Sequence, residues 1–84
     1  MTKFIKFYAD WCQPCKAMKP IIEELKSDFP DVEFEERNIE DDMAATQAAG
    51  VSSVPTFVVE KDGAETGRKT GMSTKAELVS LIAG

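Results

Sequence analysis

The chain has 84 residues, of which 43% are hydrophobic and 30% charged, enough for one globular domain spanning residues 1–84. A chain this short buries only roughly 60–65% of its unfolded surface, so modest stability is expected. Ten Lys and Arg against 15 Asp and Glu leave a net charge of −5; this weighs against binding a nucleic-acid backbone or an anionic membrane and is read as a solubility feature.

Residues 3–8 (KFIKFY) are rich in aromatic and branched side chains and predict a strand. With Lys6 inside it, this run is too short and too polar for a signal-peptide core, and no run approaches the about 20 apolar residues of a membrane span. The expected compartment is the cytoplasm. Residues 13–28 predict a helix, because Ala17, Met18, Ile21, Ile22, Leu25 and Phe29 recur near a 3.6-residue period. Lys16, Lys19, Glu23, Glu24 and Lys26 take its polar side, and Pro20 should kink it. Phe29-Pro30-Asp31 predicts a turn, and residues 32–39 (VEFEERNI) alternate as a second strand. Residues 41–49 form a short Ala-rich helix with acidic residues at its start and Gly50 placed to end it. Residues 56–60 and 64–69 predict an antiparallel hairpin turning at Asp62-Gly63. Thr74 with Glu77 three residues on predicts a capping box opening a last helix, with Leu78, Val79, Leu81 and Ile82 on its apolar side. The order β-α-β-α-β-β-α predicts an α/β fold with a mixed sheet and helices on both faces.

The chemistry concentrates in Trp11-Cys12-Gln13-Pro14-Cys15, where the first strand ends and the first helix begins. A thiol at a helix N-terminus meets free N–H groups and the positive end of the dipole, which lower its pKa into roughly the 3.5–7.5 range. Cys15 lies three residues on, within one helical turn, at a separation that suits a disulfide. Pro14 falls where its missing N–H costs nothing. In a reducing compartment two cysteines so spaced are catalytic or metal-binding. As a structural staple the pair would close a loop too small to matter. As a zinc site it lacks two further ligands, since the chain has no His and no third Cys, which leaves only a site bridged between two copies. The metal expectation is therefore none. The chemistry expected is dithiol exchange: Cys12 attacks a target disulfide and Cys15 resolves the mixed disulfide.

Residues 7–16 (FYADWCQPCK) resemble the active-site segment of the thioredoxin family. Pro20 stands at the family's distance from the second cysteine, Val54-Pro55-Thr56 is similar to its cis-proline loop, and Gly71 lies at the family's distance beyond that proline. The resemblance covers nearly the whole chain and implies a minimal thioredoxin fold with a four-stranded mixed sheet. It implies a protein-disulfide reductase acting through Cys12 and Cys15, with a cis Pro55 that keeps the site free of metal. It further implies an apolar docking surface of Trp11, Val54, Pro55, Gly71 and Met72, on which the Val54 backbone pairs with an extended substrate. No bound cofactor is implied. Electrons would come from thioredoxin reductase and NADPH or from glutathione, and the partners would be disulfide-containing proteins. Nothing requires more than a monomer.

Three departures accompany the resemblance. The family's leading strand and helix have no counterpart here, which brings the chain closer to glutaredoxins in size. Gln13 replaces the common Gly. The family's buried Asp and its Lys partner correspond to Lys6 and Glu36, with the charges exchanged. Strand parity points Lys6 with Phe4 and Tyr8, and Glu36 with Val32 and Phe34. The expectation is an ion pair behind Cys15 in which Glu36 relays protons; the alternative is that both residues stay hydrated, Lys6 snorkelling to solvent. The rival functions are a glutathione-linked glutaredoxin-like reductase, an oxidase, and a redox-independent binding subunit.

Overall fold

The structure is a computed structural model describing residues 1–84. It contains β1 (Thr2–Tyr8), α1 (Gln13–Ala17), α2 (Lys19–Asp28), β2 (Glu33–Asn38), α3 (Met43–Ala48), β3 (Thr56–Lys61), β4 (Ala64–Thr70) and α4 (Lys75–Ala83). The strands form one mixed sheet in the order β2-β1-β3-β4. β1 pairs parallel with β2 and antiparallel with β3, and β3 continues antiparallel into β4. The expected first helix is interrupted at Met18, giving α1 and α2. Pro20 explains the break, because it has no N–H to offer the carbonyl one turn back.

Alternation along β1 separates two cores. Phe4, Phe57 and Val59 face α1, α2 and α4, and pack with Met18, Ile22, Leu25, Leu78 and Ile82. Ile5, Phe7 and Val58 face the other way, toward Ile39, Ala49 and Val51 at the α3 end. This second face is thinner, and long charged side chains help to cover it. Lys3 reaches Glu35 at 3.2 Å, and Arg37 reaches Glu35 at 2.9 Å and Asp42 at 2.7 Å. Their aliphatic stems shield apolar surface while their charged ends stay hydrated. No helix is long and apolar enough to cross a membrane.

Local signals placed the turns and ends. Gly50 takes a positive φ of 67° after α3; its N–H donates to the Gln47 carbonyl and that of Val51 to the Thr46 carbonyl, closing the helix in a Schellman arrangement. Asp62 and Gly63, with φ of 53° and 85°, turn the hairpin in the left-handed region. The Thr74 hydroxyl accepts the Glu77 N–H at 3.1 Å and the Glu77 carboxylate accepts the Thr74 N–H at 2.9 Å, completing the capping box. Lys69 lies 2.8 Å from that carboxylate.

The Lys69 hydrogen bond, with those of the cap, holds the Glu77 carboxyl down at about 2, against an ordinary 4.5. A depressed carboxyl pKa stabilises the fold fully above its unfolded value. That contribution declines as pH falls below 4.5 and is gone below about 2. Glu77→Gln should therefore lower the urea midpoint at neutral pH and flatten its fall across that acid window. A midpoint that drops as steeply with acid in Glu77→Gln as in the unsubstituted chain would contradict this assignment.

Candidate active site

The end of β1 and the start of α1 position the two sulfurs. Cys12 is the N-cap of α1, with extended backbone angles (φ −85°, ψ 102°). Its N–H donates to the Ala9 carbonyl at 3.1 Å, and its sulfur accepts the Cys15 N–H at 3.2 Å. Pro14 occupies the first turn of the same helix, where no N–H is needed. Cys12 and Cys15 are joined in a disulfide with their Cα atoms 5.3 Å apart. With Ala9 they make a small buried cluster against which Tyr8, Ile39 and Val54 pack.

Val54 brings the distant loop to the sulfurs. The Val54–Pro55 bond is cis. Thr56 ties the loop to itself, its hydroxyl donating to the Ser53 carbonyl at 2.7 Å. The Gly71 N–H donates to the Pro55 carbonyl at 2.8 Å, bringing the end of β4 to the same place. Ser73 holds that corner, its buried hydroxyl donating to the Gly71 carbonyl at 3.1 Å. Trp11, next to Cys12, is 64% exposed and Met72, next to Gly71, is 62% exposed. They are two of the four large apolar side chains left in water, the others being Met1 and Met43.

Lys6 and Glu36 correct the expected ion pair. They are register partners in the parallel β1–β2 pairing and point to the same side. Yet Glu36 is exposed and makes no salt bridge, while Lys6 is only 2% exposed. The Lys6 ammonium instead donates to the Cys15 carbonyl at 3.0 Å and lies 5.7 Å from the centre of the Tyr8 ring. The reason is position in the sheet. β2 is an edge strand, so Glu36 keeps its hydration, which an ionised carboxylate gives up only at high cost. β1 is central, and Lys6 must use the nearest buried acceptor. The relay expected of Glu36 therefore has no structural pair to act through. The snorkelling alternative also fails for Lys6, though not for Glu36. Burial pushes the Lys6 ammonium below its usual pKa; Glu36 opposes this, and Lys19 and Lys26 add to it.

A cleft of about 150 Å³ opens beside Lys6 and Cys15, and Tyr8, Asp10, Lys16, Lys19 and Glu36 complete its wall. Sequence reasoning did not single out Lys19 or Asp10. Lys19 carried a usable signal, since it stands four residues after Cys15 and so shares its helix face; Asp10 carried none. No three His, Cys, Asp or Glu side chains converge in a way that could hold a metal ion.

Comparison with known proteins agrees with this geometry. A family model described as Thioredoxin matches residues 2–84. The thioredoxin of Chlamydia caviae is 41% identical over 78 residues, covering 93% of this chain and 76% of that protein. The crystal structure of oxidised mitochondrial thioredoxin 3 from Saccharomyces cerevisiae superposes with a TM-score of 0.92 at 34% identity, over 98% of this chain and 76% of that one. A mutant thioredoxin from Halobacterium salinarum superposes with a TM-score of 0.91 at 32% identity, over 96% of this chain and 71% of that one.

Proposed function

Because this chain belongs to the thioredoxin family and is a thiol–disulfide oxidoreductase that reduces protein disulfides, we propose that Cys12 is its attacking thiol and Cys15 its resolving thiol. The single observation that carries the assignment is the placement of Cys12 at the helix N-cap, its sulfur already facing the Cys15 N–H. In the reduced state that N–H and the helix dipole favour a thiolate on Cys12. The thiolate attacks a substrate disulfide, forming a mixed disulfide and releasing one substrate thiolate, which takes a proton from water. Cys15 then loses its proton and attacks the Cys12 sulfur. The Cys12–Cys15 bond forms, the bond to substrate breaks, and the electron pair leaves on the second substrate sulfur. Two electrons thus pass from the dithiol to the substrate with no bound cofactor.

The docking surface supports protein substrates. Exposed Trp11, next to Cys12, and exposed Met72, next to Gly71, offer apolar contact, Val54 offers its backbone to an extended segment, and Pro55 and Gly71 hold that loop in place. We place the protein in the cytoplasm as a monomeric single domain, drawing electrons from thioredoxin reductase and NADPH, with glutathione as the other donor.

Redox titration against a glutathione buffer, followed by Trp11 fluorescence, tests this reading. Addition of thioredoxin reductase with NADPH, or of glutathione with its reductase, then identifies the donor. We expect a strongly reducing couple turned over by thioredoxin reductase. Turnover by glutathione alone, at a more oxidising potential, would reassign the donor, and no turnover by either would remove the reductase assignment.

A further inference from the structure

Lys6 is the only charged side chain among the buried residues, and its ammonium meets the backbone carbonyl of Cys15, the residue assigned to resolve the mixed disulfide, beside a cleft that both residues line. No carboxylate pairs with it. Its ammonium has one strong acceptor, the Cys15 carbonyl at 3.0 Å, and the face of Tyr8 at 5.7 Å. A buried ammonium so poorly compensated costs stability, and an apolar side chain of similar size would do as well or better for the fold. In the oxidised protein only the Cys15 carbonyl, the Tyr8 ring and the exposed Glu36 carboxylate offset that cost. In the reduced protein a negative charge on Cys15 adds a further offset.

We propose that Lys6 is a positioning residue for the resolving step, its buried ammonium favouring the Cys15 thiolate that closes the Cys12–Cys15 disulfide. The proposal rests on the assignment of Cys15 as resolving thiol and extends it. Lys6 itself exchanges neither electron nor proton. The Cys15 proton leaves to water in the adjoining cleft, the thiolate attacks the Cys12 sulfur, and the substrate thiolate departs and is protonated by solvent. Of the other groups facing this region, Asp10 and Glu36 disfavour a thiolate, Lys16 and Lys19 favour it, and Tyr8 presents its ring. Lys26 acts from the next helix. Glu36, Asp10, Lys16 and Lys19 are exposed and screened by water and salt; Lys6 alone acts from a buried position, where screening is weaker.

The test reads the thiol itself, so it stands apart from reductase turnover. In the Cys12→Ser chain, Cys15 is the sole thiol, and its ultraviolet thiolate band can be titrated against pH. Adding Lys6→Gln keeps a donor for the Cys15 carbonyl but removes the charge, and Lys6→Met removes both. We expect each to raise the Cys15 pKa by about one unit, the scale of a nearby opposite charge, cutting the thiolate fraction about tenfold at neutral pH. With Cys12 restored, release of a preformed mixed disulfide should slow about tenfold at neutral pH, and the rates should converge at alkaline pH. An unchanged Cys15 titration in Lys6→Gln overturns the proposal, because a purely structural hydrogen bond would survive there. Linkage supplies a reading that needs no substitution at Lys6. Lysine side-chain resonances of the unsubstituted protein should show Lys6 titrating higher in the reduced than in the oxidised form. Equal values, or a Lys6 already neutral at pH 7, also overturn it.

Discussion

Cys12→Ser is expected to reduce turnover of a disulfide-bonded protein substrate by roughly 10³-fold or more, the scale on which an enzyme loses its nucleophile. A serine hydroxyl at the N-cap still accepts the Cys15 N–H, so the fold should persist while the chemistry stops. Cys15→Ser should fail differently. Cys12 still attacks, but nothing resolves the product, so one equivalent of substrate accumulates as a covalent adduct visible by mass spectrometry. The double variant should be no slower than Cys12→Ser alone, because the two sulfurs act as a unit. If Cys12→Ser instead accumulated the adduct and Cys15→Ser did not, the roles of the two cysteines would be reversed. The exposure of the two residues does not decide this, since both are almost fully buried. The decisive asymmetry is that Cys12 caps the helix and Cys15 lies inside it, over Lys6.

Phe4→Ala should be the most damaging substitution remote from the sulfurs. Phe4 is fully buried on the central strand, with ring centres 5.2 Å from Phe34 and 5.7 Å from Phe57. It therefore joins β2, β1 and β3 on the face that α2 and α4 cover. Truncation removes the transfer energy of a ring and leaves a cavity, at a cost of about 3–5 kcal/mol. At about 0.05–0.15 kcal/mol per residue, a chain of this length holds a total of only ~4–13 kcal/mol. Urea unfolding of Phe4→Ala should show a midpoint lowered by about a fifth or more with an unchanged slope, or no folded baseline. A loss below about 1 kcal/mol would mean that the sheet face relaxes to fill the cavity, which close packing makes difficult.

Much of the fold was legible because its signals are local. Thr74 and Glu77 are three residues apart and satisfy each other. Asp62-Gly63 turns the hairpin through its own backbone preferences, and Gly50 ends α3 through its own φ. Parity along each strand correctly put Lys6 on one face with Phe4 and Tyr8, and Glu36 on one face with Phe34, faces that the register brings to the same side. The kink at Pro20 was anticipated, although its form, an interruption at Met18 that yields two helices, was not.

The sequence by itself determined the dithiol chemistry, since a strand–helix junction places Cys12 at an N-cap and a three-residue spacing brings Cys15 to it whatever else the chain does. Only the tertiary structure decided what surrounds that pair. Val54 and Gly71 stand some 40 and 60 residues from Cys12 along the chain; Val54 meets it, and Gly71 meets Pro55 beside Val54, because β3 begins and β4 ends where β1 ends. The same assembly separated two residues that sequence had paired. Lys6 and Glu36 are neighbours by register, but one lies on the central strand beneath a helix and the other on an edge in water. Charges pair only when the gain exceeds what each loses in hydration, and that loss depends on depth in the folded molecule, a quantity spacing along the chain does not encode.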